Sequence, residues 1–358
     1  MNHLEQSKPD GLVLADHHLF ALEKTSVSLD ALLGLGRPAV ALDSLCLGPA
    51  ASRMQMALSQ QPSMSAIHRW FKPETTVPPL PSGVPLMRPV PVSGLGRRED
   101  AFNLYGDLLT PDRPKAEVFR RLGVSPDRAL IVVAQSSWAI SAYGLLGRVG
   151  KTTDSDSYRK LRRQWFSELF NKVGQPVTVV EMSSGDKSPT RQGTVDFLPL
   201  SYQPMGDFAD ILSAADLYLT DNLTSGAMAK AAAMRTPVLA LVNERNERST
   251  DAFSNSWFVQ MEQLFPGFGV RFLVNPFGWV DELRPLLDRN DYLNAVPRTE
   301  IYDLDASARA VGELLSTATR PASDALARQL RGLPLAADML AQKLGLDFAE
   351  ARSHALNH

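Results

Sequence analysis

Short apolar runs that end in polar residues alternate along this chain with stretches in which apolar residues recur at helical spacing. Such runs are typical of buried strands in a parallel sheet, and the periodic stretches between them are typical of connecting helices. The pattern therefore predicts an α/β fold. The predicted strands are Gly11–Asp16, Ala39–Leu42, Ala129–Ala134, Pro176–Glu181, Val195–Leu198, Asp216–Thr220, Val238–Val242 and Val270–Val274.

Helices are predicted between most of these strands and at the end of the chain. Lys115–Leu122 is followed by Gly123, a residue type that commonly ends a helix. The excess of lysine and arginine in Ser157–Val173 is interpreted as a solvated helix face rather than a binding surface. The other predicted helices are Ser28–Leu35, Phe208–Ala214, Ala227–Met234, Ser254–Leu264, Asp281–Leu287, Ala306–Thr317 and Ala322–Ala355.

The length of 358 residues and the order of these elements predict two domains and a tail. We expect an N-terminal α/β domain at residues 1–125, a second domain with a doubly wound sheet at residues 126–300, and a helical tail at residues 301–358. Seven prolines exclude a regular helix in residues 73–96. This segment is predicted to be extended, loop-like chain that either crosses a domain surface or forms a disordered linker.

The stretch Phe208–Asn243 combines two predicted strands with the helix between them, a βαβ unit. Its polar turn, Asp221–Gly226, follows the carboxyl end of the first strand and begins the next helix. Open α/β sheets bind ligands at this position, and the N–H groups at a helix N-terminus favour an anion. The structural alternative is that Thr224 and Ser225 only cap the helix.

Composition excludes several classes of protein. The net charge of −2 and a pI near 6.3 argue against a surface for nucleic acid or anionic membrane. The single cysteine, Cys46, excludes an internal disulfide framework and a thiolate zinc site. No stretch is long and apolar enough to span a bilayer, and the first ten residues lack the apolar core of a signal peptide. We therefore expect a cytoplasmic protein with no nucleic-acid or membrane partner.

Residue pairs at both ends of the βαβ unit suggest a family. Ala215-Asp216 and Thr236-Pro237 bracket its first strand, turn and helix, and F-L-P-L (197–200) precedes them. In spacing they resemble the donor-binding segment of the GT-B glycosyltransferases, and Val132–Ser137 resembles the first C-terminal strand of that family. The resemblance covers roughly residues 126–290. It implies two Rossmann-like domains. The N-terminal domain would bind the acceptor, and the C-terminal domain would bind a nucleotide-sugar.

The turn and helix depart from the pattern of that family. Asn222 stands where the family has a phosphate-binding histidine, Thr224 replaces a glycine, and Gly226 keeps the central glycine. Lys230 stands where a glutamate holds the ribose hydroxyls, and an ammonium group can only donate hydrogen bonds. The resemblance thus implies an anion-binding turn, completed by Ser225, without the usual ribose contact. Lys230 either meets a phosphate or is solvated.

The first predicted strand resembles one from the middle of a GT-B N-terminal domain, because the chain opens on a polar segment. Three explanations stay open: the chain begins late relative to the family, its N-terminal domain is reduced, or another chain completes it. The first is our preferred hypothesis. We therefore expect that the N-terminal domain is incomplete. The protein would form either a homo-oligomer or a complex with a partner chain that completes the domain.

Candidate catalytic residues follow the first strand. Inverting glycosyl transfer needs a base for the acceptor hydroxyl, and Asp16, His17 and His18 lie at the carboxyl end of that strand. An imidazole titrates near working pH, which suits a base. The alternative is that these histidines are exposed in a loop or cap a helix. Asp43, which closes the second strand, either orients a histidine or acts alone.

Ser136 and Ser137 follow the strongest predicted strand, and we expect them to contact the donor phosphate. No motif of a zinc hydrolase, a serine hydrolase or a P-loop nucleotidase is present in the sequence. The predicted function is a glycosyltransferase-like enzyme of biosynthesis that transfers a sugar from a nucleotide-sugar to a small-molecule acceptor, with no metal and no other cofactor. The alternatives are a catalytically inactive GT-B-like binding or auxiliary protein, and a nucleotide-sugar epimerase of related fold.

Overall fold

A computed structural model describes a first sheet of four strands, a second sheet of seven strands, a separate pair of antiparallel strands, and the helices around them. It covers residues 9–15, 17, 28–44, 48, 52–55, 74–77, 79–91, 96–106, 111–134, 155–182, 188–223, 225–242, 259–260, 263, 289–301 and 303–345. The strands are β1 (Leu12–Ala15), β2 (Ala39–Leu42), β3 (Ser52–Gln55), β4 (Glu74–Val77), β5 (Leu86–Val90), β6 (Ala101–Asn103), β7 (Ala129–Ala134), β8 (Val177–Met182), β9 (Thr190–Gln192), β10 (Val195–Leu200), β11 (Leu217–Thr220), β12 (Val238–Val242) and β13 (Arg298–Glu300). The helices are α1 (Leu29–Leu33), α2 (Lys115–Leu122), α3 (Ser155–Val173), α4 (Met205–Ala214), α5 (Gly226–Ala233), α6 (Asp291–Asn294), α7 (Leu304–Ser316), α8 (Pro321–Leu330) and α9 (Ala336–Leu344).

The second sheet has the strand order β13-β12-β11-β7-β8-β10-β9. Neighbouring strands are parallel except for β9 and β10. Counted along the chain from β7, the parallel strands follow the 3-2-1-4-5-6 order of doubly wound folds, and the order reverses between β7 and β11. α3 packs against α7, whereas α4 packs against α2 and α5, so the helices form two layers. The predicted α/β class and doubly wound sheet are confirmed.

The central strands of this sheet are apolar throughout because helices cover both faces. Residues 130–133 of β7 and all residues of β12 are buried. Trp165, Phe166 and Phe170 of α3 are buried as well. Such continuous apolar runs give a strong sequence signal, which explains why both strands were predicted with the bounds that the structure has.

The first sheet contains β1, β2, β5 and β6 in that order, all parallel. Across these described strands the order follows the chain without a reversal. The prediction of loop-like chain for residues 73–96 is wrong in two places, because 74–77 form β4 and 86–90 form β5. β2 pairs only with Leu86 and Met87 of β5. Pro89 has no N–H, but it lies beyond these paired residues, so the pairing of β2 with β5 loses no hydrogen bond.

The residues that bracket the βαβ unit have structural roles. The Asp216 carboxylate accepts hydrogen bonds from the Leu130 N–H at 2.9 Å and from the Lys115 ammonium at 2.5 Å. These bonds fix the start of β7 beside β11. The Thr236 hydroxyl donates to the Leu212 carbonyl at 2.5 Å and so ties the approach to β12 to the end of α4. Asp216 and Thr236 therefore mark the fold rather than a ligand contact.

The predicted C-terminal helix is divided into α8 and α9. Gly332 between them has a left-handed φ of 70°, and Pro334 cannot continue a helix. α8 packs against α5 and α6. α9 returns to the first sheet, where Met339 packs with Val40, Met87 and Phe102. α8 therefore packs on helices beside the second sheet, whereas α9 packs on the first sheet.

Three other predicted elements fall largely outside the described residues. The predicted strand 270–274 and helix 281–287 lie there entirely, and of the predicted helix 254–264 only residues 259–260 and 263 are described, all helical. In the ranges that the structure covers, no helix is long and apolar enough to cross a membrane.

A buried network of charged groups joins α9 to the first sheet. The Arg88 guanidinium on β5 lies 3.5 Å from the Asp43 carboxylate and 3.2 Å from that of Asp100. Asp100 also accepts from Lys343 of α9 at 2.7 Å and from Arg97 at 3.2 Å. Burial acts most strongly on Asp100 and opposes its ionisation, but the hydrogen bonds from Lys343 and Arg97 together outweigh it and lower its pKa. Asp43 is thus a member of this network.

Replacing Asp100 by Asn tests the network. The change removes counter-charge from Arg88 and Lys343, so we expect the free energy of unfolding at pH 7 to fall by about 1–3 kcal/mol in urea denaturation. Because the folded state lowers the pKa of Asp100, its contribution is present above the ordinary carboxyl pKa and is lost as the pH falls through the folded-state pKa. The difference between wild type and variant should therefore shrink on acidification.

Glu99→Gln is the control for this prediction, since it breaks an exposed pair with Arg97. Such pairs contribute about 0–1 kcal/mol. Equal losses of stability for the Asp100 and Glu99 variants at pH 7 would contradict the structural role of the network.

Candidate functional site

In doubly wound folds a crevice forms outside the carboxyl ends of the strands where the strand order reverses, and here the order reverses between β7 and β11. The turn after β11 lies at this edge of the sheet, with Asp221 directly after the strand and Ser225 directly before α5. α5 therefore begins with its N-terminus where doubly wound folds hold ligands. The predicted position of this turn is confirmed.

Ser225 caps α5. Its hydroxyl oxygen accepts a hydrogen bond from the Met228 N–H at 3.3 Å, and its backbone is extended, as an N-cap requires. The N–H groups of Gly226 and Ala227, the first two of the helix, have no acceptor in the part of the chain that the structure describes. Together with the helix dipole, these groups give the start of α5 a positive potential.

Two buried tyrosines hold the turn from the protein interior. Tyr105, from the segment after β6, donates its hydroxyl to the Gly226 carbonyl at 2.9 Å. The Tyr218 hydroxyl lies 3.4 Å from the Ser225 hydroxyl. Burial raises the pKa of Tyr105 and of Tyr218, so both phenols stay protonated at neutral pH. Tyr292 is buried close to both, and in the described part of the chain its hydroxyl has no hydrogen-bond partner.

A buried ion pair lies at the start of the same turn. Arg162 of α3 donates from Nη2 to Oδ2 of Asp221 at 3.1 Å, and the two side chains are 2% and 3% exposed. The Phe166 ring centroid lies 4.9 Å from the guanidinium carbon. Burial raises the pKa of Asp221, and the positive charge of Arg162 opposes this effect. The pair holds the end of β11 against α3.

The interpretation of the basic residues of α3 as a solvated face is wrong for Arg162 and Arg163. Arg162 is buried, and Arg163 binds Glu181 at the carboxyl end of β8 through Nε at 2.8 Å and Nη2 at 2.7 Å. The sequence contained a signal for Arg162, which precedes Trp165 and Phe166 by three and four residues and so lies on the apolar stripe of the helix. An excess of basic residues says nothing about which side of the helix each one occupies, so the burial of Arg162 was missed.

The structure brings three of the predicted donor-site residues, Asn222, Ser225 and Gly226, together in one turn. The Ser225 N–H donates to the Asn222 carbonyl at 3.1 Å, and the Asn222 N–H donates to the Thr220 hydroxyl at 3.1 Å. Within the described ranges no group of three His, Cys, Asp or Glu side chains could hold a metal ion. The predicted site residues that lie outside the described residues are Asp16, His18, Ser136, Ser137 and Thr224.

His17, the described member of the predicted catalytic group, is 2% exposed and follows β1. Asp43 follows the neighbouring strand β2, as predicted, and pairs with Arg88. The structure thus places both residues at the carboxyl edge of the first sheet. The role of His17 as a base stays a prediction.

Lys230 lies one turn into α5 and is half-buried. Its ammonium group is 5.9 Å from the ring centroid of Phe208 on α4, within cation–π range. Burial lowers its pKa. The side chain is therefore partly packed rather than fully solvated. It places an ammonium group on α5, close to the start of this helix.

Tyr105→Phe tests how the turn is held. The change removes the hydroxyl that binds the Gly226 carbonyl but keeps the ring, so we expect the free energy of unfolding to fall by about 1 kcal/mol in urea denaturation. Tyr292→Phe is the matched control, because the described residues offer its buried hydroxyl no hydrogen-bond partner and its removal should be neutral or stabilising. A loss of stability in the Tyr292 variant but none in the Tyr105 variant would contradict this assignment.

Comparison with solved structures finds chains of similar fold at low identity. Sucrose-phosphate synthase from Thermosynechococcus elongatus is 11% identical, with a TM-score of 0.38 and coverage of 96% of this chain and 68% of that one. UDP-GlcNAc 2-epimerase from Methanocaldococcus jannaschii is 11% identical, with a TM-score of 0.39 and coverage of 92% and 78%. UDP-GlcNAc 2-epimerase from Neisseria meningitidis bound to UDP-GlcNAc is 13% identical, with a TM-score of 0.30 and coverage of 88% and 78%. Similarity at this level assigns neither ligand nor activity.

Sequence comparison gives a more definite result. No curated protein matches the chain. The family model described as "Family of unknown function (DUF6365)" matches residues 2–345, which is most of the chain. The chain therefore belongs to the DUF6365 family.

Proposed function

We propose that this protein binds a nucleotide-sugar at the start of α5 and transfers its sugar to a small-molecule acceptor. The observation that carries the proposal is the position of α5, which begins at the strand-order reversal with two backbone N–H groups available to an anion. The local resemblance of the βαβ unit to the donor-binding segment of GT-B glycosyltransferases supports the same assignment.

The diphosphate of the donor would lie against the Ser225–Ala227 backbone. There the N–H groups of Gly226 and Ala227 and the helix dipole stabilise negative charge, both in the bound donor and on the departing phosphate. We assign Asn222 and Thr224 to the rim of this contact. Ser136 and Ser137 would reach it from the end of β7, the strand that neighbours β11.

The acceptor would lie toward the carboxyl edge of the first sheet. Its hydroxyl must lose a proton as the new glycosidic bond forms, and His17, His18 or Asp16 would take that proton. No metal is required, since the helix start supplies the positive potential that the leaving group needs. His17 is buried in the structure, so acceptor binding would have to open a path to its imidazole.

A second candidate function is a binding or auxiliary protein that has lost transfer. Lys230 favours it, because an ammonium group replaces a carboxylate that would accept hydrogen bonds from two ribose hydroxyls. Its packing against Phe208 gives this lysine a structural role that needs no nucleotide. The two candidates differ in turnover and not in fold.

Thermal unfolding in the presence of uridine, thymidine and guanosine diphosphates, and of their sugars, tests donor binding. A ligand at about 100 times its Kd stabilises the folded state by about 2.7 kcal/mol, which raises Tm by several degrees. We expect one nucleotide to give this shift. Ser225→Asp should abolish it, because aspartate still caps the helix but places a negative charge against the phosphate.

Ser28→Asp is the matched control for this experiment. Ser28 caps α1 in the same way, accepting from the Ala31 N–H at 3.1 Å, so the variant adds an equal charge at another N-cap. It should leave the nucleotide shift unchanged. A wild-type protein that shifts with none of the nucleotides, or a Ser225 variant that shifts like wild type, would contradict donor binding at α5.

Release of nucleoside diphosphate from the stabilising nucleotide-sugar distinguishes the two functions. If the protein is a transferase, we expect His17→Ala or His18→Ala to lose at least about 100-fold in turnover while keeping the thermal shift, because general base catalysis contributes about 10²–10⁴-fold. Nucleotide binding with no release by the wild type would favour the auxiliary protein. Full turnover in both histidine variants would remove the histidines from the mechanism.

A further inference from the structure

Arg162 is among the most deeply buried charged residues that the structure describes. Its residue exposure is 1%, and its guanidinium has one described hydrogen bond, from Nη2 to Asp221. The atoms Nε and Nη1 are buried and have no hydrogen-bond partner among the residues that the structure describes. The rings of Phe166 and Trp165 lie 4.9 and 5.8 Å from the guanidinium carbon and fix its place on α3.

An arginine in this state is costly to the folded protein. Buried polar groups are nearly always hydrogen-bonded, and a buried donor without an acceptor destabilises the fold. The single Asp221 carboxylate neutralises the charge but satisfies only part of the guanidinium. An apolar pair of similar volume would be as stable or more stable here. The unsatisfied donors therefore point to a role in binding rather than in stability.

The position of the guanidinium identifies what it can bind. Asp221 begins the turn that Ser225 ends, so Arg162 reaches from α3 the same turn that presents the first N–H groups of α5. The two positive features come from opposite helix layers. A group that accepts several hydrogen bonds at once and carries more than one negative charge suits both, which describes a phosphate or diphosphate better than a neutral sugar or a single carboxylate.

We propose that Arg162 is a phosphate-binding residue whose guanidinium contacts the diphosphate of the ligand held at the start of α5. This inference rests on the proposed function for its site, and adds the cation that the turn itself lacks. In the free protein Asp221 holds the guanidinium in place. When a phosphate binds, its oxygens become the acceptors for the remaining donors, in a buried setting where the attraction is stronger than in water.

Removing Arg162 alone would leave Asp221 as a buried charge with no donor, whereas Asp221→Asn keeps an amide oxygen that accepts from Arg162. The test therefore compares Asp221→Asn with the double variant Arg162→Met/Asp221→Asn, both of which lack the buried carboxylate. Circular dichroism and urea denaturation establish that both are folded. Isothermal titration calorimetry then measures Kd for inorganic pyrophosphate, for uridine diphosphate and for uridine.

We expect Asp221→Asn to bind pyrophosphate at least as tightly as wild type, because Arg162 keeps its charge and loses its competing counter-ion. The double variant should bind pyrophosphate and uridine diphosphate about 10- to 100-fold more weakly than Asp221→Asn, the range for hydrogen bonds to a charged group. Any affinity for uridine should be unchanged, since uridine has no phosphate. Arg163→Met, which breaks the neighbouring pair with Glu181, should stay within about threefold of wild type.

Two results would overturn the assignment of Arg162: a double variant that binds pyrophosphate within threefold of Asp221→Asn, or loss of binding in Asp221→Asn alone. If uridine diphosphate binds but does not need Arg162, the inference fails while the proposed function stands. If pyrophosphate binding needs Arg162 but no nucleotide binds more tightly than pyrophosphate, the assignment of Arg162 as a phosphate-binding residue stands. The assignment of a nucleotide as the ligand then fails. A wild type that binds none of these ligands overturns both.

Discussion

The reversal of strand order between β7 and β11 is the constraint on which the geometry of the second sheet depends. Helices that follow strands on the two sides of such a reversal cover opposite faces, so the loops at the sheet edge diverge and leave a crevice. The turn after β11 bridges the two helix layers there. Asp221 at its start is held by Arg162 of α3, and Ser225 at its end caps α5.

The turn after β11 contains polar groups that stabilise the fold and others that are available to a ligand. Tyr105, Tyr218 and the Ser225 cap satisfy polar groups on its inner side and make it rigid. Among the described residues, the N–H groups of Gly226 and Ala227 have no acceptor, and two nitrogens of the buried Arg162 have none either. A buried guanidinium with unsatisfied donors is costly to the fold, and its position at the ligand-binding edge of a doubly wound sheet argues that an anion is the missing acceptor.

The elements that the sequence predicted well are those whose signal is local. β2, α2, β7 and β12 have the predicted bounds, because each is a continuous apolar run or a periodic helix with a clear end such as Gly123. β5 was missed since Pro89 within it and Pro85 and Pro91 beside it are typical of a loop, and only its pairing with β2 and β6 makes it a strand. Arg162 and Tyr105 were missed as site residues for the same reason, because their partners Asp221 and Gly226 lie 59 and 121 residues away.

The claim that the start of α5 binds an anion is tested most directly by observing its backbone N–H groups. Amide resonances of ¹⁵N-labelled protein can be followed during titration with inorganic pyrophosphate. We expect the amides of Gly226 and Ala227 to shift most, with saturation at the Kd found by calorimetry, while those of Ala31 and Leu32 in the first turn of α1 do not move. Saturable binding that shifts other amides and leaves Gly226 and Ala227 in place would contradict it.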